Sequence, residues 1–129
     1  MKIYIAARFT EKGKVKSFFK TLENKGHSIA YNWTNHKNAQ PFIENSDLAA
    51  KYSENDVNSV LDADVLIVLT DEIEYSKGLY VELGAALAKA KITGKPKIYV
   101  VGKNKDSAMF FFHPFVKRRK NIDEVLKEL

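Results

Sequence analysis

The sequence contains no cysteine. That excludes disulfides, thiolate nucleophiles and Cys-ligated zinc, and it fits a reducing, cytoplasmic setting. Three scattered histidines, His27, His36 and His113, show no metal-ligand spacing, so neither a metal nor another cofactor is expected. No apolar run approaches the roughly 20 residues that a membrane-spanning helix requires. The apolar part of the first seven residues is too short for a secretory leader and reads as a strand. The dinucleotide fingerprint GxGxxG and the P-loop pattern GxxxxGK(S/T) are both missing. Internal repeats, low-complexity tracts and linkers are missing too, so the 129 residues are expected to form one domain over 1–129.

What the chain does carry is an ordinary globular composition, 45% hydrophobic and 29% charged, with a formal net charge of +5. The excess lies in Lys12, Lys14, Lys16 and Lys20 and in Lys117-Arg118-Arg119-Lys120. Solvated surface charge accounts for both blocks. Interleaved aromatics or a recognisable module would be needed to argue for a nucleic-acid polymer, and neither is present.

Periodicity predicts alternating strands and helices. Residues 2–7 read as a first strand. A helix follows from an N-cap at Thr10 to about Asn24, with Val15, Phe18, Phe19 and Leu22 facing inward. His27–Tyr31 reads as a short second strand. Trp33–Asn45 has no clear period and is long for a connection, which suggests a binding loop or lid. A second helix spans about Ser46–Asp62, with Ser53, Asp56, Val57, Val60 and Leu61 along one side. Val65–Leu69 is a continuous apolar run typical of a strand buried on both faces. A third helix opens near Gly78 and stops at Thr93-Gly94. Lys97–Val101 is a fourth strand, Asn104–Phe112 has no clear assignment, 115–118 suggests an edge strand, and Ile122–Leu129 a closing helix. The expected fold is therefore α/β: a flavodoxin-like (Rossmann-like) parallel sheet of about five strands, order 2-1-3-4-5, with helices on both faces. Its ligand crevice would lie between strands one and three, lined by residues 6–10 and 70–82.

One residue breaks the pattern. Leu79, Leu83, Ala86, Leu87 and Ala90 form the apolar stripe of the third helix, and Glu82 lies within it. An unpaired carboxylate in such a place is costly. Asp56 sits similarly on the second helix, and Tyr4 in the first strand needs a partner for its hydroxyl. Each has a plainer explanation alone: Tyr4 as a core tyrosine, Asp56 as a half-exposed helix residue, Glu82 as a glutamate favoured by the helix dipole. Jointly they point to one crevice holding all three.

Tyr4 on the first strand, Asp56 before Ala63-Asp64-Val65-Leu66-Ile67-Val68, and Gly78-Leu79-Tyr80-Val81-Glu82-Leu83-Gly84 resemble the nucleoside 2-deoxyribosyltransferase superfamily. The likeness runs from Met1 to about Met109, and its motif detail is nearest to the 2'-deoxynucleoside 5'-phosphate N-hydrolase branch. The resemblance implies an enzyme acting on a small nucleoside or nucleotide. Glu82 would be the nucleophile at C1', Tyr4 its hydrogen-bonding partner, and Asp56 the carboxylate that protonates the departing base. Trp33 matches a position packed against the base, or it is ordinary core.

Ser76 stands six residues before Glu82 where the transferases carry an Asp. The hydrolases have a serine there that contacts phosphate. Their second serine, in a Ser-Ala-Met context like Ser107-Ala108-Met109, reaches a neighbouring subunit's site, which implies a homodimer or larger. Ser76 also reads as a helix N-cap and Ser107 as a turn. Where the hydrolases wrap phosphate with a glycine-containing loop, this chain departs with Ala6-Ala7-Arg8-Phe9-Thr10: Arg8 can supply charge, but alanine limits close backbone approach; Ala7, Arg8, Phe9 and Gly78 are expected among the substrate-binding residues. The readings carried forward are an N-glycosidase, a deoxyribosyltransferase, and a nucleotide-binding sensor without turnover.

Overall fold

The computed structural model describes residues 1–129, the side chain of Tyr75 excepted. Five parallel strands stand in the order β2-β1-β3-β4-β5: β1 Lys2–Ala6, β2 Ser28–Ile29, β3 Val65–Leu69, β4 Lys97–Val101 and β5 Val116–Arg119. All five residues of β3 are buried, as its unbroken apolar run requires of a central strand covered on both faces. Register places Tyr4 opposite Leu66 and Ala6 opposite Val68.

Four helices complete the layers: α1 Lys12–Asn24, α2 Ser46–Asp62, α3 Lys77–Thr93 and α4 Ile122–Leu126. Right-handed crossovers put α1 on one face of the sheet and α2 and α3 side by side on the other. Val15, Phe19 and Leu22 bury the inner side of α1, and Leu79, Leu83, Ala86 and Ala90 that of α3. Gly94 ends α3 in the left-handed conformation at φ +82°, with its N–H on the Ala90 carbonyl. Gly102, at φ +113°, lets the chain leaving β4 pass within contact of Asp71 and Thr70. A Cβ there would lie 2.5 Å from Asp71 Oδ1.

Local differences from the sequence reading have identifiable causes. Thr10 does not cap α1. It lies in a 3-10 turn over Phe9–Glu11 and donates its hydroxyl to Glu72 at 3.1 Å, while Glu11 takes the cap position. The second strand shrinks from His27–Tyr31 to two residues. On α2, Asp56, Val57 and Val60 lie inward as expected, whereas Ser53 and Leu61 face solvent and Tyr52 and Asn55 are half-buried in their stead. Residues 104–112 form a turn and a 3-10 helix over Met109–Phe112. Among the described residues no helix is long and apolar enough to cross a membrane.

Candidate active site

Side chains alternate along β1, so Tyr4 and Ala6 point to the face that α2 and α3 cover. Tyr4 is 1% exposed. Asp56 approaches it from the middle of α2 and Glu82 from the second turn of α3. A cleft of about 540 Å3 opens above them. Ala7, Arg8 and Phe9 form one wall, Ser76, Lys77 and Gly78 another, and Trp33, His36, Gln40 and Phe42 the third. The crevice thus lies at the carboxyl ends of β1 and β3, where the strand order reverses.

Burial dominates the electrostatics. Loss of hydration pushes Glu82 up to about 8, with the Asp56 charge adding to the rise and hydrogen bonding from Tyr4 opposing it. Asp56 rises to about 6, again through burial, with Tyr4 again opposing. The Tyr4 hydroxyl is driven well above its ordinary range, first by burial and then by the two carboxylates. Glu82 Oε2 and Asp56 Oδ1 are each sealed from solvent without a hydrogen-bond partner. Two half-sealed carboxylates facing one hydroxyl cannot both ionise cheaply. At neutral pH the group therefore holds one proton between them.

The remaining expected residues divide. Trp33 is 6% exposed and its indole N–H donates to the Ile5 carbonyl at 2.6 Å, so one edge is fixed to β1 while the residue walls the cleft. Core packing and site lining are both true of it. Phe9 tilts against the Trp33 ring at 6.4 Å between centroids. Ser76 occupies the cap position of α3 but makes no cap bond. Its Oγ is buried, unpartnered and at the cleft wall. Ser107 and Met109 are not part of this cleft. Ser107 donates to the Asn104 carbonyl at 2.7 Å and lines an adjoining hollow that shares Ser76 and Lys77, and Met109 is 77% exposed.

Lys77 falls in the expected 70–82 lining, whereas sequence reasoning did not name His36, Gln40 and Phe42 as cleft residues. All three belong to the long connection after Trp33, so its length was the available signal. Among the described residues no cluster of His, Asp and Glu is arranged to hold a metal ion.

Comparison with known proteins decides the family. A model of the nucleoside 2-deoxyribosyltransferase family matches residues 3–117. The chain belongs to that family. Membership makes it an enzyme of N-glycosidic cleavage or glycosyl transfer acting on a small nucleoside or nucleotide. Among solved structures it is similar to the CMP N-glycosidase BcmB of Clostridium botulinum, with a TM-score of 0.63 and 17% identity, over 99% of this chain and 97% of the other. That likeness is one of fold. No curated protein matches the sequence.

Proposed function

We propose that this family member hydrolyses the N-glycosidic bond of a 2'-deoxynucleoside or its 5'-monophosphate through a glycosyl ester on Glu82. The observation that carries the reading is the pair of buried carboxylates meeting at the Tyr4 hydroxyl. Glu82 attacks C1' as the bond to the base nitrogen breaks. The electron pair leaves with the base, which takes the proton of Asp56. Asp56, now ionised, then accepts a proton from water as that water attacks C1', freeing the sugar and restoring Glu82.

The reactive arrangement is the singly protonated pair with Glu82 bare and Asp56 protonated, the minority form of that pair, since burial gives Glu82 the higher proton affinity of the two. Such a pair gives a bell-shaped pH profile with limbs near 6 and 8, the values at which it loses its first and second protons. The hydroxyl of Ser76 supports a phosphorylated substrate. It is buried without a partner at the start of a 17-residue helix, beside Lys77, where hydroxyl, dipole and cation all favour an anion. The same function includes a homodimer. Tyr80, Leu83, Gly84, Leu87, Ala108 and Phe110 line a largely apolar hollow of about 430 Å3 beside Ser107 and Met109, a surface suited to a second copy.

Incubation with a panel of deoxynucleosides and their 5'-monophosphates, with and without a second free base, tests the reading by chromatography of released base. Release without acceptor is expected. Exchange only in the presence of acceptor makes the chain a transferase. Full ligand binding with no release of base at all removes the hydrolase proposal.

A further inference from the structure

Glu11 is 5% exposed, and no other charged residue among those described is as buried. Its Oε2 is sealed from solvent without a hydrogen-bond partner, and it takes no part in the proposed chemistry. It ends the 3-10 turn Phe9–Glu11 and precedes α1, yet its carboxylate makes no cap bond to that helix. It reaches back instead. The Arg8 backbone N–H donates to the carboxylate, and the Glu11 N–H donates to the Arg8 carbonyl at 2.9 Å. One residue therefore holds both polar backbone atoms of Arg8, its carboxylate acting as the glutamate of a capping box does.

The same turn is moored to the loop after β3. Lys14 Nζ lies 3.9 Å from Glu11 Oε1 and 2.7 Å from Asp71 Oδ2, and the Thr10 hydroxyl donates to Glu72 at 3.1 Å. That loop leads to Ser76, so the cleft walls that carry Arg8 and Ser76 are tied to each other through these contacts. Packing alone does not account for a buried carboxylate with one oxygen unmatched, because an apolar side chain of similar size would avoid the cost of drying the charge.

We propose that Glu11 is a positioning residue that fixes the Arg8 peptide, so that the Ala7–Phe9 wall stands ready for the 5' end of the substrate. Its consequence rests on the hydrolase reading with a phosphorylated substrate. With its N–H engaged by Glu11, the Arg8 peptide does not donate to a phosphate, which leaves that anion to the side chains of Arg8, Ser76 and Lys77 at the cleft.

Two variants test it. Glu11→Met fills similar space without an acceptor, and Glu11→Gln keeps an acceptor without the charge. Amide hydrogen exchange in 15N-labelled protein is expected to show the Arg8 N–H protected in the wild type and in Glu11→Gln. In Glu11→Met it should exchange about tenfold faster or more, with the amides of β1 and β3 unmoved. In kinetics, Glu11→Met is expected to raise KM for a deoxynucleoside 5'-monophosphate by about tenfold at nearly constant kcat, and Glu11→Gln to restore it. An unprotected Arg8 N–H in the wild type, or a Glu11→Gln variant as impaired as Glu11→Met, overturns the proposal. A Glu11→Met variant that unfolds, or that loses kcat as much as it gains KM, makes Glu11 merely structural and overturns it too. A wild type that cleaves nothing defeats the hydrolase reading and leaves the exchange measurement, which needs no turnover, to decide this one.

Discussion

Glu82 works against the stability of the molecule that carries it. A carboxylate whose folded pKa lies near 8, against 4.5 ordinarily, binds its proton more tightly in the native state than in the unfolded chain. Its contribution to stability is complete below about pH 4.5 and is lost as pH rises through 8. Glu82→Gln is therefore expected to abolish base release, by about a thousandfold or more. The same variant is expected to be more stable than the wild type by about 1–3 kcal/mol at pH 8–9, the gap closing toward pH 5. Thermal unfolding across that range checks both sign and trend, and a variant less stable at pH 9 removes the account. Glu82 and Asp56 were legible in the sequence because each is a carboxylate where a helix stripe calls for a hydrophobe. His36 was not, since its place depends on ring packing against Tyr31 and Tyr52, which no local period encodes.

At the scale of elements, α3 does two jobs from one end. Its apolar stripe fixes the helix on β3 and β4, and its first turn brings Ser76, Lys77 and Gly78 to the cleft. Because the Ser76 hydroxyl makes no cap bond, removing it should leave the helix almost untouched. Ser76→Ala is expected to raise KM for a monophosphate by about 5- to 30-fold, with little change for the free nucleoside and in Tm. Equal changes for both substrates would instead show that the hydroxyl does not meet phosphate. The extent of α2 and α3 and the inward side of α2 around Asp56 and Val60 could be read from their periods, but the edges of that side could not. Tyr52 is drawn in by the loop over Lys37, and Leu61 is turned out. Likewise Thr10 looked like a cap only because its partner, Glu72, is 62 residues away.

For the whole molecule, the strand order followed from the alternation of elements, since right-handed crossovers leave few ways to arrange five parallel strands. Surfaces between copies carry no such rule. Phe110 is 55% exposed and Phe112 also 55%, near the 3-10 turn that holds Met109. If a second copy covers this face, Phe110→Glu is expected to shift sedimentation from dimer to monomer and to weaken turnover by moving the partner's Ser107 away. A wild type that sediments as a monomer at micromolar concentration ends that proposal.

The bond from Trp33 to Ile5 also bears on solubility. β2 pairs with β1 only through Lys2 and Ile3, so the Ile5 carbonyl looks out from a sheet margin that no strand covers. An unpaired margin of this kind is a template on which another molecule's backbone can dock. The Trp33 indole occupies that acceptor, so one ring both walls the substrate cleft and closes the sheet to strand addition. Trp33→Phe keeps the ring and loses the donor. It is expected to remain folded but to scatter light and bind an amyloid dye sooner than the wild type when held at high concentration. Unchanged clarity over the same period would mean that the margin is guarded by something else.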